Sequence, residues 1–557
     1  MPARSSVRPA VAAAALLGAL AAAALAEDTG PDVFKLVQSA RTKLDAGDAK
    51  GAAEDLTKAI DAAPKNASIR HERAVCRAQL GDVKGVAEDL KQAAALDPKE
   101  YPIDAPLWRE AVETARAQGK AKEPDIELIQ AEVAAIRGKA FKSAVPCEDQ
   151  SPEDFGKMVD ASIEEESPAA RRADINAGLH RLGLLPEKFD LKDAVTDALM
   201  SQAAAYYDPQ KKKFFNLMAD MPPEFLEATA AHELVHALQD QYFDLDPWFK
   251  KHEAPKTAGA RDDDRILALR CVVEGEATFV QTVWQLKQMM HMDDAQALVM
   301  VRATIPMTAA MDIEQIAAAA KLAAAMVPPD STMGKAIAEM TKIEPYVMEP
   351  LLGAYMGGAN LVQTVQASGG WAAVDRLYAD PPESSEQCLH PEKYSKKRDL
   401  PTPVTLPEIP EIAAAGWRAA DLAVHGELYF RVLLRREGAS NIDARKASAG
   451  WDGDVYGAWR DTAGRTAIVL ATTWDTERDA REFFETYRSA LARKYGKLAE
   501  EPGSTTESFL YGCGDAALGT GALVQRGTEV FAAEGFAAEL RTKVVAALLE
   551  TKIAHVQ

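Results

Sequence analysis

Histidine and cysteine are among the scarce residues of this chain, with nine and five in 557 positions. Cys76, Cys147, Cys271, Cys388 and Cys513 are widely spread and form no Cys-x-x-Cys pair. That excludes a zinc ribbon and a dense disulfide framework. Basic charge is also short, 64 Lys and Arg against 84 Asp and Glu, for a net −20. Nucleic acid and anionic membrane surfaces select for basic patches, so neither is an expected partner. Beyond the N-terminus no uncharged apolar run reaches bilayer length. The alanine-rich stretch 316–327 is interrupted by Lys321 and closed by Pro328-Pro329.

The first 26 residues read as a signal peptide. Arg4 and Arg8 precede an apolar, alanine-rich run over 11–25, and Ala24-Leu25-Ala26 fits a small-residue cleavage site before Glu27. The mature chain is therefore expected to be exported, periplasmic or extracellular, with no transmembrane segment.

A repeat follows. Gly47, Asp48, Lys50, Gly51, Ala53, Glu54, Asp55, Leu56, Ala59 and Pro64 recur 34 residues later as Gly81, Asp82, Lys84, Gly85, Ala87, Glu88, Asp89, Leu90, Ala93 and Pro98. Glycine opens the turn between two helices, small residues allow close packing, and proline ends the second helix. Over about 31–100 the stretch resembles tetratricopeptide repeats, with 106–118 expected to form a capping helix. Residues 31–118 then serve either as a protein-partner groove or as a structural appendage.

The richest chemistry sits in Thr229-Ala230-Ala231-His232-Glu233-Leu234-Val235-His236-Ala237-Leu238-Gln239-Asp240. On a helix His232 and His236 are one turn apart on the same face, so both imidazoles can reach one ion. Glu233 lies about 100° around the helix and can address a water on the open side of that ion. Two neutral imidazoles and an adjacent carboxylate are what a hydrolytic zinc site takes from one helix. Before it, β-prone runs at 203–207 and 214–217 flank Asp208-Pro209 and predict a hairpin. Its edge would pair with an extended peptide.

Zinc needs a third protein ligand. A metzincin would place a histidine six residues after His236, where Tyr242 stands, so that class is excluded. The remaining common solution is a glutamate from a following helix. The helix expected over 262–290 carries both Glu274 and Glu276, about 200° apart, so only one can face the metal. Both faces are partly apolar, and periodicity leaves the choice open.

His232-Glu233-x-x-His236 followed by Glu274-Gly275-x-Ala277 resembles the gluzincins, notably the aminopeptidase-N branch. It is also similar to bacterial metallopeptidases combining HELxHALQDQ, EGxA and a later EQxLHP segment. The resemblance implies bound Zn²⁺, Glu274 as third ligand with Glu276 the alternative, and Glu233 as general base. The spacing of 38 residues from His236 to Glu274 is about twice the family's, and Val273 replaces its asparagine. Gluzincins also use a late histidine or tyrosine to donate a hydrogen bond to the oxyanion. In the polar loop 380–394 that implies His390, with Tyr394 in reserve.

From 411 onward the pattern changes to α+β. A helix is expected over 419–436, strands at 455–460, 466–473, 508–511 and 522–532, and helices over 476–495 and 537–550. Trp451-Asp452-Gly453-Asp454 and Trp474-Asp475 read as turns and helix starts. The expected architecture is multidomain and mainly α. A helical repeat pair (27–120) leads to a mostly helical zincin-type α+β metallopeptidase domain (121–410), then a small α+β domain (411–557). The implied activity is exported, zinc-dependent hydrolysis of peptide or protein substrates. The rival reading is a non-catalytic envelope scaffold that binds partners through its repeats. Zinc-dependent hydrolysis of a non-peptide amide or ester would need the same residues.

Overall fold

The computed structural model describes residues 31–556 except 122, 203, 218–220, 329, 341, 497 and 514–517. The expected signal peptide lies outside the described residues. The protein is mostly helical with a sheet toward its C-terminus, and its contacts divide it into two units, Met1–Ala135 and Ile136–Gln557.

The first unit is a run of antiparallel helices: Pro31–Asp45, Ala49–Ala62, Ala67–Leu80, Val83–Leu96 and Ala105–Ala117. The 34-residue repeat has a physical counterpart here. Asp48 and Asp82 cap the helices Ala49–Ala62 and Val83–Leu96, at equivalent places in the two repeats, by accepting the backbone N–H of Gly51 and Gly85. A Cβ on either glycine would fall 2.2 Å from the capping carboxylate, so the glycine is needed for the cap. About two turns into each helix, Asp55 and Asp89 are buried and hold cations from the helix before. Asp55 accepts from Ser39 and Lys43, and Asp89 from Arg73 and Arg77, at equivalent repeat positions.

In the second unit the helix Pro223–Phe243 carries the His-Glu-x-x-His motif, and the helix Asp263–Met290 crosses it. Asp262 caps the latter by accepting from Arg265 N–H. Against that long helix pack a single π-helical turn, Gly353–Gly357, and the helix Gly358–Ala379 that continues it. Gly369 and Gly370 break the last helix, with Gly370 at φ +63°. The hairpin forms as β2 (Ala205–Asp208) and β3 (Lys213–Asn216), with β1 (Cys147–Asp149) parallel to β3. The order β1-β3-β2 leaves β2 at the sheet edge.

The C-terminal sheet has eight strands: β4 (Arg261–Asp262), β5 (Arg418–Val424), β6 (Trp451–Arg460), β7 (Thr466–Trp474), β8 (Ala499–Glu500), β9 (Ser508–Gly512), β10 (Thr520–Arg526) and β11 (Glu529–Phe536). Their order is β4-β5-β6-β7-β11-β10-β9-β8. Period-2 alternation feeds two cores. Tyr456 and Ala458 pack with Phe430, Phe483 and Tyr487 on one face. Val455, Val469 and Phe531 pack with Val544 and Leu548 on the other.

Three expectations need correction. The helix predicted over 419–436 is strand β5 followed by a helix over Gly426–Arg436. The alanines of 419–423 have helical propensity, but pairing with β6 overrides it, and Gly426 at φ +82° makes the break. The strand predicted over 522–532 is the β10–β11 hairpin, turning at Gly527. Trp451 to Asp454 open β6 with a bulge instead of forming a turn. In addition, β4 pairs parallel with β5, so this sheet begins well before residue 411. No helix among the described residues is long and apolar enough to cross a membrane.

Candidate metal centre

The motif helix and the long helix bring His232, His236 and Glu274 to one point. His232 Nε2 and His236 Nε2 are 3.1 Å apart, and Glu274 Oε2 lies 3.2 Å from the first and 3.4 Å from the second. A tetrahedral zinc with ligands at about 2.0–2.2 Å has ligand-to-ligand edges of roughly 3.3–3.6 Å, so this triangle is of the size that ion needs. The donor set, two imidazoles and a carboxylate, also suits it.

Glu276, the alternative, faces elsewhere. It is 1% exposed, pairs with Arg137, accepts the Tyr378 hydroxyl at 2.5 Å and the Gln239 side-chain N–H at 3.2 Å. This network reaches back to the metal centre. His236 Nδ1 is 2.9 Å from Gln239 Oε1, whose amide nitrogen also donates to Val273 O. Gln239 thus orients the His236 ring, the usual task of a group behind a metal-ligating histidine. Arg137 in turn pairs with Asp375 and stacks over Trp371.

Glu233 sits beside the triangle, with Oε2 accepting the backbone N–H of Tyr207 at 2.8 Å. That N–H points from β2 away from its partner strand, so the outer edge of the sheet faces the motif helix and is held there by Glu233. The Tyr207 hydroxyl donates to Asp240, which also binds Lys212. Strand and helix are therefore tied at both ends of one residue.

The charges are coupled. Burial raises the Glu233 carboxyl above the usual carboxylate range, against the pull of His236 and His232. Burial opposes protonation of His236, but Glu274 outweighs it and lifts the imidazole to about 9. Burial likewise opposes ionisation of Glu274, and the charge of His236 with hydrogen bonds from both histidines holds it well below its usual range. A divalent cation would displace that histidine proton and take its place against Glu274.

Sequence reasoning missed Tyr355. Its ring stacks on His232, centroids 5.4 Å apart and planes within 5°. The charge of nearby Glu274, together with burial, pushes its phenol well above the ordinary value. The π-turn that presents it is set by glycine. Gly358 lies against Cys271 and Gly275, where a Cβ would meet backbone at 2.2–2.3 Å. A π-turn at a crossing of two glycines is a signal periodicity does not carry.

His390 and Tyr394 occupy a different network. His390 Nε2 is 3.1 Å from both oxygens of Glu427, and Tyr394 donates to Asp380 O at 2.8 Å. Neither residue is among the side chains gathered with His232, His236 and Glu274.

A family described as a domain of unknown function (DUF8575) matches residues 413–544, a segment holding β5 to β11 and none of the residues of the metal centre. No curated protein and no solved structure matches the chain at a significant level.

Proposed function

We propose that the protein is a zinc-dependent peptidase whose ion is held by His232, His236 and Glu274. One observation carries the reading: three ligand atoms within 3.1–3.4 Å of one another, beside a carboxylate that accepts a backbone N–H of an edge strand. When bound, zinc supplies Lewis acidity, acidifying a water and polarising the scissile carbonyl. The remaining work belongs to the chain. Glu233 keeps Oε1 free while Oε2 is held by Tyr207, so Oε1 takes a proton from the attacking water and returns it to the leaving amine. The β2 edge aligns an extended substrate backbone by strand addition, a mode that favours peptides over small esters. Tyr355 and Gln239 are positioning residues, one on each side of the histidines. The helical repeats of the first unit, by their 34-residue period, support tetratricopeptide-like packing and a protein-binding role.

Metal analysis of the purified protein and hydrolysis of an unfolded protein substrate test this. One zinc per chain is expected, and Glu233→Gln should keep the zinc and lose turnover. A chain purified without metal that rejects added zinc, or a Glu233→Gln variant that still cleaves, would overturn it.

A further inference from the structure

Where the long helix Asp263–Met290 passes the metal centre, it is open to solvent along one line only. From 264 to 280 every residue is buried except Ile266, Arg270 and Glu274, spaced four apart. Residues at i and i+4 share a helix face, so these three form a single uncovered stripe, and it ends at the carboxylate of the metal centre. The π-turn packed against this helix brings Tyr355, itself only partly buried, to the same place.

Arg270 is the one exposed residue of the stripe, and it makes no hydrogen bond or ion pair among the described residues. The arginines nearest it in the chain are engaged. Arg261 pairs with Asp263 and Asp421, and Arg265 donates to the backbone carbonyls of His252 and Pro382. Glu274, one turn beyond Arg270, is taken by His232 and His236. The charge of Arg270 nonetheless acts at the centre: Glu274 and burial raise the Tyr355 phenol, and Arg270 is the cation that opposes them.

We propose that Arg270 receives a carboxylate of the substrate, one or two residues beyond the bond that is cut. This specificity role rests on the peptidase reading and narrows its substrate class. A helical turn rises about 5.4 Å and an extended peptide spans about 3.3–3.6 Å per residue, so a chain whose scissile carbonyl lies at Glu233 and Glu274 carries its next one or two residues past Arg270. A planar guanidinium with its donors unused binds a carboxylate in two-pronged fashion. Two sources share that chemistry: the C-terminus of a peptide and an acidic side chain.

Calorimetry on the full chain carrying Glu233→Gln, which should bind without cutting, tests it with three N-acetylated alanine-rich peptides of equal length. One has a free C-terminus, one is its C-terminal amide, and one is that amide with glutamate as its last residue. At least one of the two carboxylate peptides should bind about tenfold more tightly than the plain amide. A tighter free terminus assigns the contact to a chain end, and a tighter glutamyl amide to an acidic side chain. Adding Arg270→Gln should abolish the preference while leaving zinc content and the affinity of the plain amide unchanged, and Arg270→Lys should retain part of it. Equal binding of all three peptides, or a preference that survives Arg270→Gln, would overturn the role of Arg270. The peptidase reading fails separately, on absent zinc or absent cleavage by the unmodified chain. Should Glu233→Gln not fold, the same peptides on the metal-free unmodified chain give the comparison.

Discussion

Gly275 and Gly358 meet backbone to backbone: a Cβ on Gly275 would fall 2.2 Å from the carbonyl carbon of Gly358 and 2.4 Å from its oxygen. Nothing flexible stands in the way to yield, so the two helices would have to separate. Glu274 precedes this crossing and the turn bearing Tyr355 leads into it. Gly275→Ala should therefore cost about 1–3 kcal/mol as overpacking and also lower zinc content. Thermal unfolding and the zinc-to-protein ratio check both parts. An alanine variant with unchanged Tm and full zinc would refute the role of this crossing.

Two neighbouring glutamates should fail in opposite ways. Glu274→Gln removes a proposed ligand and leaves the fold, so zinc should be lost while the secondary structure persists. Glu276→Gln removes the buried carboxylate partner of Arg137, whose side chain is 1% exposed, and leaves it the part-exposed Asp375. Losing one partner of a buried charge costs about 1–3 kcal/mol, so this variant should unfold in less denaturant. Circular dichroism in urea, paired with metal analysis, separates the two. The reverse pattern would exchange their assignments.

Gln239 gives a graded test of the same centre. Gln239→Leu keeps both histidines and frees the His236 ring. Loss of such an orienting partner lowers metal affinity by roughly 10–100-fold. Competition against a chromogenic chelator measures it, and an unchanged affinity would remove Gln239 from the centre.

How much of this was legible in advance depends on the range of the contacts. The pairing of His232 with His236 follows from helix pitch, and the hairpin at 205–216 from a local turn. Both are short-range, and both sets of residues come together in the fold. Choosing Glu274 over Glu276 needed the partner elements, because Arg137, Tyr378 and Gln239 come from three other places in the chain. Tyr355 was invisible because its position depends on a π-turn. His390 carried a plausible residue type, but a loop histidine goes to its nearest carboxylate, here Glu427. The 419–424 segment misled because alanine reports helix propensity, whereas strand pairing with β6 decided the outcome.

The repeats offer a test within the first unit. Asp89 is fully buried against Arg73 and Arg77, which are 11% and 21% exposed, whereas Lys43 beside Asp55 is 38% exposed. Removing Asp89 leaves two poorly solvated guanidinium groups, while Lys43 can turn to water. Asp89→Ala should cost about 3–5 kcal/mol and Asp55→Ala clearly less. Unfolding of each variant by urea gives the comparison, and equal losses would deny the difference in burial any consequence.

The last prediction concerns pH. Asp454 accepts hydrogen bonds from the backbone N–H groups of His425 and Gly426 and from the Trp451 indole. Burial nevertheless lifts its carboxyl from 3.8 to about 6. The folded chain thus takes up a proton between those values that the unfolded chain does not hold. Above pH 6 the carboxylate is ionised in both states, and its burial penalty is complete. As the pH falls toward 4 the folded form protonates and the penalty fades; below 3.8 both states are protonated and nothing more changes. A shift of that size corresponds to about 3 kcal/mol. Stability of the unmodified chain relative to Asp454→Asn should therefore rise by up to about 3 kcal/mol on going from pH 7 to pH 4, because the asparagine cannot titrate. Urea unfolding of both chains at unit pH steps measures that difference. A flat difference, or one that falls on acidification, would place the Asp454 carboxyl back in the ordinary range.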